Sequence, residues 1–233
     1  NSAFNLPLAT WNTGNLQDAS FMFGSSNFNQ PIGNWNTKSL TSLSGTFDTA
    51  FNFNQNISSW NTSSVIDMSN TFNGGVFNQA ISNWDVSHVK TMTSMFRQSK
   101  FNQTLNNWNT ARVTDMSFMF TNAQFQQDLS NWITSNVTTM NSMFWGAGFF
   151  NSNISRWDIR QVTSLTNFLQ GDFQFTTANY NSLLVSWSNE PGLHNSTRLD
   201  TSSYYSCSPS PAATARAYLI THYGWTINDL GCV

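Results

Sequence analysis

Charge is nearly missing from this chain. Only 9% of its 233 residues are Asp, Glu, Lys or Arg, against roughly a quarter in an ordinary soluble domain. It has a single Glu, Glu190, and nine cations, three Lys and six Arg, for a net charge of −2. No basic stripe is available to neutralise phosphates, which excludes nucleic acid as a partner. No run of about 18 apolar residues exists, so no segment is expected to insert in a membrane. The chain does not open on a basic-then-apolar leader, and it is expected to be a mature or trimmed form. Cysteine is limited to Cys207 and Cys232. What is abundant is aromatic and amide: 20 Phe, 10 Trp and 32 Asn, within a 39% hydrophobic composition that is ample for a core.

These residues fall in columns. Trp11, Trp35, Trp60, Trp84, Trp108, Trp132 and Trp157 are separated by 24 or 25 residues. Phe4, Phe28, Phe53, Phe77, Phe101, Phe125 and Phe150 precede them by seven, and Phe23, Phe47, Phe72, Phe96, Phe120 and Phe144 form another column that ends with Leu169. Leu16, Leu40, Val65, Val89, Val113, Val137 and Val162 form one more, and Ala19, Leu43, Met68, Met92, Met116, Met140 and Leu165 the next. A period in this range, seven copies long, predicts a solenoid in which each copy is one coil.

Within one copy the apolar spacing changes. Phe101 and Leu105 stand four apart, an even spacing that suits one face of a short strand. Val113, Met116, Met119 and Phe120 then follow at helical spacing, with Thr110 as a candidate N-cap and Gly24, Gly74-Gly75 or Gly146-Ala147-Gly148 as helix ends. The expected fold class is α/β: a leucine-rich-repeat-like solenoid of about seven coils over 1–174, each a short parallel strand, a tryptophan corner and a short helix, with a capping segment over 175–233.

The polar residues repeat too. Asn29, Asn54, Asn78, Asn102 and Asn151 follow the strand Phe, with Gln126 in the remaining copy; Asn34, Asn83, Asn107 and Asn131 precede the Trp. Side-chain amides that satisfy backbone groups at each corner explain such columns better than a ligand surface does. The Met column reads as core filling.

The unit FNQxIsNWxTsxVTxMxxMF, from about residue 4 to 174, resembles the bacterial surface-protein repeat of about 25 residues found in BspA-like, leucine-rich-repeat-related proteins. Tyr180-Asn181-Ser182-Leu183-Leu184 with Trp187, Tyr218-Leu219-Ile220, and Tyr223-Gly224-Trp225-Thr226-Ile227 are similar to the ending common in that family. The resemblance implies an extracellular, surface-displayed and often adhesive protein, and carries no catalytic residue.

After Phe175 the register fails. Leu183, Leu184 and Trp187 suggest a short helix broken by Pro191-Gly192, and Ala212 to Tyr223 a second one ended by Gly224. Terminal coils need a different sequence because no further coil covers them. Cys207 and Cys232 flank the second helix; they are either two buried thiols or, as that position favours, a disulfide, which implies an oxidising compartment. At the other end, the apolar edge of the first coil (Phe4, Leu8, Trp11, Leu16 and Phe23) has nothing ahead of it. Either an upstream segment was removed or another molecule covers it, and an open edge invites strand addition.

Chemistry is scarce. His88, His194 and His222 lie far apart without metal-ligand spacing, and no nucleophile elbow, phosphate loop or zinc signature is present. The scattered Asp and Asn oxygens leave room for calcium alone. No catalytic residue, cofactor or metal site is expected. Sequons stand at Asn56, Asn61, Asn102, Asn136, Asn153 and Asn195, a number that an Asn- and Ser-rich composition also produces by itself. Ice binding is disfavoured by the lack of a regular Thr-x-Thr ladder. The expected function is that of a non-enzymatic extracellular structural protein, secreted or at the cell surface, whose partner is itself, head to tail in a homo-oligomer or filament. The alternative is an adhesin or carbohydrate-binding module that takes an extracellular protein or carbohydrate on its sheet face.

Overall fold

The computed structural model describes residues 3–233; residues 1 and 2, where the expected 1–174 unit starts, lie outside the described residues. The fold is α/β, in the order β1 (Leu165–Leu169), α1 (Thr177–Ser188), β2 (Arg198–Thr201), α2 (Pro211–Tyr223) and β3 (Thr226–Asn228). The three strands form one parallel sheet in the order β1-β2-β3. Ahead of β1, successive repeats are joined by single parallel bridges, from Asp18↔Ser42 through Ser42↔Asp67, Asp67↔Thr91, Thr91↔Asp115 and Asp115↔Thr139 to Thr139↔Ser164. Ser164 is the neighbour of Leu165, so this ladder runs directly into the sheet.

The helix expected in each repeat is not there. Among the described residues, α-helix is confined to α1 and α2. From Met116 to Asn122 alternate N–H groups leave the repeat: those of Met116, Phe118, Phe120 and Asn122 donate to Thr139, Asn141, Met143 and Trp145 of the next one. The N–H groups between them close three-residue turns, Met119 to Met116 and Thr121 to Phe118. A helix needs its N–H groups for bonds four residues back; here half are spent between repeats. Two left-handed residues four apart enable this alternation, Phe118 (φ 61°) and Asn122 (φ 53°). The same pair recurs as Phe21/Ser25, Gly45/Thr49, Asn70/Gly74, Ser94/Gln98, Ser142/Gly146 and Asn167/Gly171. At Gly45 an added Cβ would fall 2.3 Å from the Phe21 ring, so glycine serves both the backbone and the packing. The apolar stripe read as helical is therefore a chain of tight turns whose spacing imitates a helix.

The strand expected at Phe101 to Leu105 is displaced as well. Inter-repeat pairing falls at the Asp115 column, one residue before Met116. Thr110 is not a helix cap: its Oγ1 donates to the Ile133 carbonyl (2.8 Å) and accepts the Ile133 N–H (2.9 Å), again across repeats.

Aromatic columns fill the interior. Phe47, Phe72, Phe96, Phe120 and Phe144 stack at 5.6–5.7 Å between ring centres. Each ring also lies 3.8–4.3 Å from the Phe that opens the following segment, as Phe47 does on Phe53 and Phe144 on Phe150. Such near-parallel, offset rings suit the aromatic quadrupole. Met68, Met92, Met116 and Met140 are fully buried beside them.

The segment after Phe175 packs onto the last repeat. Thr176 caps α1 by accepting the Asn179 N–H, and Ser210 caps α2 by accepting that of Ala213, with Pro211 in the first turn. Gly224, left-handed at φ 67°, ends α2. Tyr180, Leu183, Leu184 and Trp187 bury the inner face of α1.

Candidate functional site

Two side-chain ladders define what each repeat offers the next. In the first, an Asn amide oxygen accepts both the backbone N–H of the following repeat's Asn and the Nε2 of the adjacent Gln. Asn5 does so for Asn29 and Gln30 (2.9 and 3.2 Å), and Asn78 for Asn102 and Gln103 (2.9 and 3.2 Å). The Gln partners belong to the FNQ motif and are visible in the sequence, although their role is not. Gln126 interrupts the series, and Ser152 bridges there instead, donating to Asp128 and accepting the Leu129 N–H. The series resumes at Asn151, whose oxygen accepts the Thr176 N–H and the Asn179 amide and so positions the start of α1. In the second ladder each indole donates to a carbonyl of the preceding repeat, from Trp35 to Leu8 through Trp157 to Leu129, at 3.0–3.2 Å.

Both ladders stop at the first repeat, which is the candidate interaction edge. Trp11 is 55% exposed, whereas Trp35 to Trp157 are 5% exposed or less. Among the described residues the Trp11 indole N–H and the Asn5 and Gln17 backbone N–H groups have no acceptor, and the Asp18, Ser20, Met22 and Gly24 carbonyls have no donor. In every later repeat the carbonyls equivalent to these four are taken by the repeat before, as Ser42, Ser44, Thr46 and Asp48 are by Ala19, Phe21, Phe23 and Ser25. The sequence-derived edge needs adjustment. Phe4 and Trp11 are exposed, but Leu8 and Phe23 are buried (4% and 3%) and Leu16 is partly so; Leu6, Phe21 and Met22 are the further apolar residues on show.

The opposite end is closed. β2 pairs along β1, and polar side chains take the remaining β1-side donors: Asp200 Oδ2 accepts the Asn167 N–H and Ser202 Oγ the Gly171 N–H, both at 2.8 Å. Burial works against the Asp200 charge, but hydrogen bonds from Asn228, the Asn167 N–H and Arg198 outweigh it and hold the carboxyl below its ordinary range. No repeat pattern marks Asp200 or Ser202 in the sequence. Cys207 and Cys232 are disulfide-bonded and fasten the Tyr205↔Cys232 bridge. Inside the cap, buried Asp229 accepts from Tyr180 Oη (3.0 Å) and Arg216 Nε (2.7 Å). Asp172, fully buried between β1 and α1, has one oxygen on the Gln174 N–H and the other without a partner, and burial pushes its carboxyl up to about 7. A groove of about 920 Å³ between the α1 C-terminus and α2 is lined by Glu190, Tyr218, Tyr223 and three prolines. Burial raises the Glu190 carboxyl, one oxygen of which accepts the Ile159 N–H.

Of the sequon asparagines, Asn56, Asn61, Asn136, Asn153 and Asn195 are exposed, while Asn102 is half-buried in the amide ladder. His88 lies beside Ser87, and His222 stacks on Tyr218. Among the described residues no group of His, Cys, Asp and Glu could hold a metal ion. No helix there is long and apolar enough to cross a membrane.

One family model, described as "Mycoplasma protein of unknown function, DUF285", matches residues 1–100 and again 73–183. No curated protein and no solved structure matches the chain.

Proposed function

This chain belongs to the DUF285 family of Mycoplasma proteins of unknown function, and from that premise we propose that it is a non-enzymatic extracellular structural protein, displayed on a surface through repeats of the BspA-like kind. In this reading the seven repeats form one continuous leucine-rich-repeat-like solenoid, and the edge of the first repeat is its assembly face. One observation carries the proposal: the same parallel bridges and indole-to-carbonyl bonds join each repeat to the next from Asp18 to Ser164, so that the recurring side chains serve stacking. The disulfide supports an oxidising, extracellular setting. Head-to-tail growth, in which the region after Phe175 of a neighbour covers the edge, is the filament form of this proposal; such heterologous contacts propagate.

Negative-stain microscopy and light scattering of the protein taken from its native source test the reading. Ordered assemblies that persist at high salt are expected, because an apolar, hydrogen-bonded contact is not screened as a charge pair is. Native material consisting only of single, unassembled particles would overturn it. An adhesin is the second reading, and the groove beside Glu190, with its two tyrosines, is the observation in its favour.

A further inference from the structure

The groove between the C-terminus of α1 and the start of α2 selects for charge. Its volume, about 920 Å³, falls in the range of ligand pockets. Tyr218 and Tyr223 both line it, and their rings stand at 83° to one another with centres 6.0 Å apart. His222, outside the lining, stacks on Tyr218 at 4.7 Å and steadies that ring. Glu190, the single Glu of the chain, lines the groove as well. One of its carboxylate oxygens accepts the Ile159 N–H (3.2 Å). Among the described residues the other has no donor, and no ion pair includes Glu190. No Lys or Arg lines the groove. We propose that it is a binding site for a quaternary ammonium ion of the choline type, held against the two tyrosine rings and neutralised by Glu190. The proposal rests on the ligand-binding reading of this groove and goes beyond it by naming the chemistry of the ligand; it does not depend on assembly.

The lining argues against other ligands of similar size. Its side-chain donors are spent on backbone carbonyls: Ser188 Oγ and Asn189 Nδ2 on Val185, Ser210 Oγ on Ser206, Thr214 Oγ1 on Ser210, and Tyr223 Oη on Glu190. Pro191, Pro209 and Pro211 have no N–H to offer. Among the described residues, an anion would find only the Tyr218 hydroxyl as a free side-chain donor in the lining, beside a carboxylate that repels it. A primary ammonium or a guanidinium brings several N–H donors, which ring and proline carbons do not satisfy. A quaternary ammonium brings none and is attracted by the ring faces themselves. The helix adds to this preference. The last turn of α1 carries no basic residue, and the negative end of its dipole favours a cation there. Arg160 acts on Glu190 from a distance but is committed to Asp158.

The test is titration of the intact ¹⁵N-labelled chain with choline, followed by NMR at the amides of Glu190, Tyr218 and Tyr223. Saturable shifts confined to the cap are expected, with a Kd of roughly millimolar order. The neutral tert-butyl isostere of choline keeps the shape and loses the charge, and it should bind at least about tenfold more weakly. Glu190→Gln keeps an oxygen for the Ile159 N–H, and Tyr218→Leu changes an exposed position. Each should weaken choline binding at least about threefold, while unchanged amide signals from Met92 and Met116 show that the variants are folded. Phosphocholine separates the sources of the cation: tighter binding than choline points to a headgroup, weaker binding to a free ammonium ion, and both support the site. Unmoved signals at concentrations far above millimolar, equal binding of the isostere, or full affinity in both variants would each overturn the proposal. Equal binding of the isostere leaves a ligand-binding groove standing and sinks only the cation, whereas silence of every probe sinks both.

Discussion

The indole of Trp108 donates to the carbonyl of Ile81, 27 residues earlier, at 3.2 Å, a bond that no isolated repeat can make. Trp108 is 3% exposed and stacks on Trp132. Its burial and its hydrogen bond both depend on neighbouring repeats. Trp108→Ala should therefore cost about 3–5 kcal/mol in denaturant unfolding. Trp108→Phe should cost less, since it keeps a ring and loses the donor. A loss under about 1 kcal/mol for the alanine variant would contradict the packing described.

The amide ladder gives a second expectation. Asn102 Oδ1 accepts two donors from the next repeat, the Gln126 N–H and Gln127 Nε2. Asn102→Ala should destabilise by about 1–2 kcal/mol, and Asn102→Asp, which keeps the acceptor oxygen, should restore most of that at neutral pH. Thermal unfolding of the three proteins side by side would show whether the acceptor or the side-chain volume matters.

Asp172 makes stability depend on pH. Its carboxyl is raised from 3.8 to about 7 in the folded protein, so the folded state binds a proton that the unfolded chain has released. Stability is then highest with respect to this group below about pH 4, falls as pH rises towards 7, and is level above that. The difference of roughly three units corresponds to about 4 kcal/mol at pH 8. Asp172→Asn should raise the melting temperature at pH 8 and lose that advantage as the pH falls to 4. A pH-independent difference would refute the assignment.

Reduction should loosen the cap before the repeats. The Cys207–Cys232 bond closes a separation of 25 residues, for which chain entropy suggests roughly 3 kcal/mol. A Cys207→Ser, Cys232→Ser variant should show faster hydrogen exchange in β3 and at the α2 C-terminus, with the amides around Met92 and Met116 little changed. Protein isolated without reductant should weigh two hydrogens less than the reduced chain.

In a host that attaches N-glycans, occupancy should follow the surface. Asn56, Asn61, Asn136, Asn153 and Asn195 are exposed, and Asn102 is engaged with the next repeat. Glycopeptide mapping should find Asn102 the least occupied of the six. Full occupancy there would mean that the ladder forms late or opens easily.

The period of 24 or 25 residues, the buried Trp, Phe and Met columns, the amide columns at the corners and the two cap helices were all legible in the sequence. Each depends on which residues are apolar and how often they recur, and that information is local and periodic. Where the backbone hydrogen bonds go was not legible. From Val113 to Phe120 the side-chain spacing fits a helix and a chain of tight turns equally well. The choice fell to the neighbouring repeat, whose carbonyls lie within reach of alternate N–H groups, and to left-handed residues such as Phe118, a bulky side chain that rarely adopts this backbone. The capping of β1 by Asp200 and Ser202 was likewise decided only in three dimensions, because those residues stand more than 30 positions from the amides they serve. Composition and period determined that the repeats stack; the contact between one repeat and the next decided what backbone each of them adopts, since a hydrogen bond made between repeats is no longer available within one.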